Sequence, residues 1–198
     1  MITIIDYGAG NLFSVKNALD FLGMENEISS ETEDLRKADS LILPGVGAFP
    51  DAMKMLDERG LTSVIKEQAR KKPFLGICLG MQMLFDKSYE FGETDGLGLI
   101  KGEVRLMKPR GLAVPHMGWN SLEKNTPCGL SESVYDGQHV YFVHSFAADC
   151  CSGNVAAYCD YGGKVPALVF DGNVYGCQFH PEKSGDRGIN ILRAFAKL

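Results

Sequence analysis

The 198-residue sequence contains no apolar run approaching the roughly 18 residues that a membrane-crossing helix needs. Its first residues, Met1-Ile2-Thr3-Ile4-Ile5-Asp6, lack the basic start, long apolar centre and small-residue cleavage site of a signal peptide, and read instead as a strand. These absences predict a cytoplasmic chain that does not engage a membrane. Positive charge is also short, with 20 Lys and Arg against 25 Asp and Glu. The basic residues are scattered, which argues against nucleic acid as a partner. No C-x-x-C pair occurs among the six cysteines (78, 128, 150, 151, 159 and 177), so neither structural zinc nor any other metal is expected. Outside a secretory context the same cysteines do not imply a disulfide framework. No repeat, low-complexity tract or linker interrupts residues 1–198, which are expected to form one domain with a substantial core.

What is present in the first half is alternation of strand and helix. Ile2–Asp6 reads as a strand, and Leu12, Val15, Leu19 and Leu22 then mark one helical face, with Gly23 suited to the C-terminal cap. Ser40–Leu43 and Phe74–Ile77 read as buried strands, with helices expected around Pro50–Arg59 and Ser63–Lys71. This order implies an α/β fold with a mainly parallel, flavodoxin-like central sheet and helices on both faces. After Gly96 the texture changes to short strands: Glu103–Met107, His139–Val143, Val155–Tyr158, Ala167–Phe170 and Val174–Phe179. Turn residues such as Asp171-Gly172-Asn173 separate them, as in added antiparallel hairpins. A last helix is expected over Ile189–Leu198.

Chemistry concentrates at three places. Gly76-Ile77-Cys78-Leu79-Gly80 sits where an apolar run meets a helical pattern (Leu79, Met83, Leu84) and fits a nucleophile elbow with sulfur as the nucleophile. A helix N-terminus there favours thiolate, and the Leu79 N–H points toward a developing oxyanion. The alternative is a buried cysteine in a glycine-rich turn. A thiol nucleophile needs an oriented base. In Gln178-Phe179-His180-Pro181-Glu182, Pro181 biases His180 toward extended backbone, and Glu182 at i+2 can reach the same side to hold its ring. The alternative is a solvated surface turn. Pro44-Gly45-Val46-Gly47, after a strand, can offer a second backbone N–H to the oxyanion, or can be a plain turn. A fourth feature, Gly8-Ala9-Gly10 with Glu27 downstream, imitates a dinucleotide fingerprint, but Phe13 stands at the third glycine and Asp6 lies where pyrophosphate would sit. No cofactor is expected.

Together the stretches "IIDYGAGNL" (4–12), "LPGVGAF" (43–49), "GICLGMQML" (76–84), "PHMGWN" (115–120), "YFVHSF" (141–146) and "QFHPEKS" (178–184) resemble the class I (triad) glutamine amidotransferases. Within them, "PGVGAF" and "PHMGWN" resemble the glutaminase subunits of imidazole glycerol phosphate synthases. The resemblance implies a Cys78–His180–Glu182 triad, an oxyanion hole from Val46 and Leu79, and L-glutamine bound among Gly45, Gly47, Gln82, Glu90, Tyr141 and Ser145. Glu90 makes chemical sense as the partner of the substrate's α-ammonium; Tyr141 could equally be a packed strand residue. The resemblance also implies a heterodimer with a (β/α)8-barrel cyclase, met by Asn11, Trp119 and Lys183. Taken alone, Trp119 reads as half-buried packing and Lys183 as a solvated charge. Rival readings are a cysteine peptidase or esterase, an ammonia supplier to a related synthase such as one making a surface sugar, and a non-catalytic regulatory domain.

Overall fold

A computed structural model describes residues 1–198. In chain order the first half comprises β1 (Ile2–Ile5), α1 (Leu12–Phe21), β2 (Asn26–Ser29), α2 (Thr32–Lys37), β3 (Ser40–Gly45), α3 (Phe49–Glu58), α4 (Leu61–Gln68), β4 (Phe74–Cys78) and the single turn α5 (Leu79–Gln82). Short strands follow: β5 (Lys87–Ser88), β6 (Thr94–Asp95), β7 (Gly102–Leu106), β8 (His116–Ser121), β9 (Glu123–Lys124), β10 (His139–His144), β11 (Phe146–Cys150), β12 (Val155–Asp160), β13 (Lys164–Asp171) and β14 (Val174–Cys177). The chain closes with α6 (Gly185–Phe195).

Eight strands form the central sheet in the order β2-β1-β3-β4-β14-β13-β12-β9. The run from β2 to β14 is parallel, and β13, β12 and β9 add to it antiparallel. The mainly parallel sheet with added antiparallel strands is thus as expected. Alternation along each strand feeds two cores, one on each face. On β3, Ile42 joins the core under α1 and α6, while Leu41 and Leu43 join the core under α2, α3 and α4. Each helix turns a narrow apolar stripe to the sheet: Val15, Ala18 and Leu19 from α1, Ile191, Leu192 and Phe195 from α6, Phe49, Ala52, Met53 and Leu56 from α3. Each large apolar side chain so buried contributes about 1.5–3 kcal/mol. No helix is long and apolar enough to cross a membrane.

Several expectations shift. The helix after Cys78 is one turn only; Met83 and Leu84 continue as a tight turn, with the Leu84 N–H bonded to the Met81 carbonyl at 3.0 Å. The last helix starts at Gly185 rather than Ile189, and β14 stops at Cys177; Gln178 and Phe179 then bend, and His180 beyond them has extended backbone. In the Gly8–Gly10 turn Asp6 Oδ1 accepts the Gly8 N–H at 2.8 Å, and Glu27 on β2 accepts the hydroxyl of Thr3 on the neighbouring β1 at 3.0 Å. All six cysteines are free thiols.

Candidate active site

Parallel strands end together, and their carboxyl ends are where α/β sheets open a crevice. Gly45, the last residue of β3, pairs with Cys78, the last residue of β4, and Cys177 at the end of β14 pairs with Ile77. The segments that leave these ends carry Val46 and Gly47, Cys78 and Leu79, and His180.

The glycines around Cys78 have a steric origin. Cys78 itself is held at φ 55°, ψ −111°, a conformation that costs an L-residue energy. The turn it makes folds α5 back onto β3 and β4 so closely that a Cβ on Gly80 would lie 1.8 Å from the Leu43 carbonyl oxygen. One on Gly76 would lie 2.5 Å from the Gly80 oxygen. Only hydrogen fits at either position.

His180 is fixed by its neighbours on both sides. Its N–H donates to the Tyr141 carbonyl at 2.9 Å. The Ser184 hydroxyl donates to the His180 carbonyl at 2.6 Å and accepts the Tyr141 N–H at 3.0 Å. This latch ties the segment to β10. The imidazole Nδ1 lies 2.8 Å from Glu182 Oε1, inside a 3₁₀ turn over Pro181–Lys183, and both side chains are buried. Burial of the ring works against its charge, but hydrogen bonding to the Cys78 sulfur and to the Glu182 carboxylate outweighs it and raises the His180 pKa to about 9. Asn11 Nδ2 donates to the same Glu182 oxygen at 3.3 Å.

A cavity of about 360 Å³ opens over these groups, lined by Val46, Gly47, Cys78, Leu79, Gln82, Glu90, Ser145 and His180 together with Pro115, Val143, His144 and Phe146. Of the sequence-derived site residues, the first eight therefore meet around one space. Glu182 stands behind His180, out of the cavity, as an orienting group should. Gly45 lies under the wall, against Leu79 and Gly80. Tyr141 does not line the cavity: its ring meets Trp119 edge-on, with centroids 6.0 Å apart, on the paired strands β8 and β10. Here the alternative of a packed strand residue describes the geometry. Trp119 is 57% exposed, and Lys183 is exposed at the end of the Pro181–Lys183 turn.

Two polar side chains at the wall are already engaged. Gln82 Nε2 donates to the Phe146 carbonyl at 2.9 Å and to Gln178 Oε1 at 3.0 Å, which leaves its own oxygen unengaged. Glu90 Oε2 accepts the Phe49 N–H at 2.8 Å, capping the first turn of α3, and its other oxygen is free for a cation in the cavity. Residues missed by sequence reasoning are Pro115, Val143, His144, Phe146 and Gln178, together with Tyr7. The Tyr7 hydroxyl is buried without a partner and is held in its neutral form by burial and by the nearby Cys78. All six lie inside the quoted stretches 4–12, 115–120, 141–146 and 178–184, yet no local pattern singles them out.

A strained cysteine at a strand end, sharing one cavity with the histidine of a buried His–carboxylate pair, defines a thiol-dependent acyl-transfer or amide-hydrolysing α/β protein. The chain belongs to the class-I glutamine amidotransferase family, which matches residues 3–197. Over 98% of its length it is 51% identical to imidazole glycerol phosphate synthase subunit HisH of Bacillus thuringiensis strain Al Hakam, spanning 93% of that protein. It is 50% identical, with the same coverage, to the same subunit of Bacillus anthracis. Among solved structures it superposes on a crystal structure of a glutamine amidotransferase with a TM-score of 0.77 at 22% identity, covering 100% of both chains. It also superposes on PurLQS from Thermotoga maritima with a TM-score of 0.77 at 22% identity, covering 99% and 97% of the two chains. These two likenesses establish the fold.

Proposed function

We propose that this chain is the glutaminase subunit of imidazole glycerol phosphate synthase in histidine biosynthesis, with Cys78, His180 and Glu182 as its triad. The carrying observation is that Cys78 and His180 line one cavity with Glu182 bonded to His180 behind it, in a chain 51% identical to a subunit of that synthase. The Cys78 sulfur attacks the side-chain amide carbon of L-glutamine, and His180 takes the thiol proton as the carbon–sulfur bond forms. The backbone N–H groups of Leu79 and Val46 stabilise the tetrahedral oxyanion. The carbon–nitrogen bond then breaks, His180 gives its proton to the departing nitrogen, and ammonia leaves a glutamyl thioester. Water attacks the thioester as His180 takes a water proton, the carbon–sulfur bond breaks, and His180 returns that proton to the departing sulfur, giving glutamate and free thiol. Glu182 keeps the ring aimed and supports its charge. Gln82, Glu90 and Ser145 hold the amino-acid end of glutamine, Glu90 through the substrate's ammonium.

Ammonium in neutral water is not nucleophilic, so the product must pass shielded to an acceptor. We propose a (β/α)8-barrel cyclase as the partner, docked on the face bearing Asn11, Trp119 and Lys183. It joins the ammonia to a phosphorylated ribulosyl intermediate, giving imidazole glycerol phosphate and a carboxamide nucleotide. The test is Cys78→Ala in the reconstituted complex. Synthesis from glutamine should vanish, while synthesis from ammonium salt at raised pH should persist. Substantial glutamine-driven product from the variant would refute the nucleophile.

A further inference from the structure

A run of side-chain hydrogen bonds with no part in that chemistry leads from β8 to the cavity wall. Asn120 Oδ1 accepts the Ser121 N–H at 2.8 Å, and Asn120 Nδ2 donates to the Asp160 carbonyl at 2.8 Å. Flipping the amide would set oxygen against oxygen and nitrogen against N–H, so its orientation is determined. Nδ2 also lies 3.3 Å from His116 Nε2, which must therefore accept. A neutral imidazole carries one proton, so that of His116 sits on Nδ1, which lies 3.0 Å from His144 Nε2. His144 in turn carries its proton on Nδ1, 2.8 Å from the Phe146 carbonyl. A carbonyl only accepts, so both ends of the run demand the same direction.

The surroundings keep both rings neutral and still. His116 is 3% and His144 6% exposed, and burial pushes both pKa values down to about 4. His116 is stacked between Phe142 and Tyr161, with centroids 4.5 and 4.0 Å away. The far end of the run is the cavity itself. His144, Ser145 and Phe146 line it, and the Phe146 carbonyl receives the Gln82 amide as well as the His144 N–H.

We propose that Asn120, His116 and His144 are positioning residues for glutamine: Asn120 forces both imidazoles into the Nδ1–H tautomer, and this holds the Ser145–Phe146 wall in its binding position. Free imidazole favours the other tautomer, so the direction has to be imposed by a donor at one end and an acceptor at the other. The kinetic consequence rests on the glutaminase reading; the tautomers do not.

The decisive measurement is a long-range ¹H–¹⁵N correlation spectrum of the full chain, labelled in histidine, at pH 7.5. Both rings should show the Nδ1–H pattern. In Asn120→Asp the carboxylate only accepts, so both tautomers should switch, leaving a lone pair of His144 against the Phe146 carbonyl. In the complex the glutamine KM should then rise about tenfold while kcat stays within about threefold, the scale of one misplaced neutral hydrogen bond. Asn120→Ala, which removes the donor without imposing the reverse, should show mixed tautomers and a smaller rise in KM. An Nε2–H or charged ring in the unaltered chain overturns the proposal, and so does a tautomer switch that leaves KM unchanged. The spectra need no turnover, so an inactive unaltered complex with the Nδ1–H pattern in place counts against the glutaminase reading alone.

Discussion

Asn11 and Glu182, 171 residues apart in the chain, share a hydrogen bond of 3.3 Å to the carboxylate oxygen that His180 Nδ1 also approaches at 2.8 Å. Asn11 stands at the N-terminal boundary of α1, where an asparagine ordinarily caps the helix with its own side chain. It makes no such cap here. The amide is turned to Glu182, whose second oxygen is buried with no partner. A residue expected at the partner face thus also touches the orienting group of the proposed triad.

Asn11→Ala should therefore lower kcat of the complex by about three- to tenfold with little change in KM, because one long hydrogen bond to the Glu182 carboxylate is lost. Asn11→Asp should cost more, since it brings a second carboxylate against the first. Steady-state glutaminase assays on the purified complexes decide both. Asn11→Asp as active as the unaltered chain would show that this contact does not steer His180.

Cys78 pays in stability for its φ of 55°, and the two smallest replacements separate that strain from lost packing. Glycine adopts positive φ freely, whereas alanine does not. Cys78→Gly should be more stable than Cys78→Ala by about 1 kcal/mol, against the usual order in which glycine is the weaker residue. Urea unfolding of the two inactive variants measures the difference. Equal midpoints would mean that the elbow carries no strain.

How much of this could be read from the chain depends on how local the signal was. β3 and β4 were legible because both faces are buried and the residues are nearly all apolar. β2 was not, being an edge strand whose four residues are each half-buried and include a single apolar one, Ile28. β8 pairs with β10 alone and has no apolar alternation to betray it. The same contrast holds at the site. Cys78 and the His180–Glu182 pair declare themselves through neighbouring glycines and a proline within five residues. His144 and Gln82 owe their places to partners 28 and 96 residues away, His116 and Gln178, and short-range pattern contains nothing about those.

Stability should vary with pH in two opposite limbs. The His180 pKa is raised from its ordinary 6.5 to about 9, so its folded environment favours the proton. That contribution is complete below about pH 6.5 and is lost as pH rises through 9. His116 and His144 are depressed to about 4, so the unfolded chain binds protons that the folded one refuses. Their contribution is complete above about pH 6.5 and is lost as pH falls toward 4. Urea unfolding from pH 4 to 10 should show a maximum near 6.5, and the alkaline decline, on the order of 2 kcal/mol, should be missing in His180→Gln. A variant that keeps the alkaline limb in full would assign it to other groups.

The Val46–Gly47 segment yields the sharpest separation of stability from activity. Val46 is 43% exposed at the cavity edge, and Gly47 sits at φ 97° with nothing within 4 Å of where a Cβ would point. An alanine at 47 therefore meets no steric obstacle, only the backbone preference against positive φ, worth about 1 kcal/mol. That preference would rotate the peptides on either side, and the Val46 N–H is the second oxyanion donor in the proposed mechanism. A lost donor costs about 10²–10³ in rate. Gly47→Ala should therefore lose no more than about 1 kcal/mol of stability in urea unfolding, yet lose at least about tenfold in kcat for glutamine in the complex. The same freedom of rotation should leave the isolated, unaltered chain a poor glutaminase, at least about tenfold slower than the complex, with the partner acting by favouring the N–H-in state. Measuring kcat for free chain, complex and Gly47→Ala complex tests both statements together. A free chain already at the full rate, or a Gly47→Ala complex with unchanged kcat, would remove this loop from the catalytic machinery.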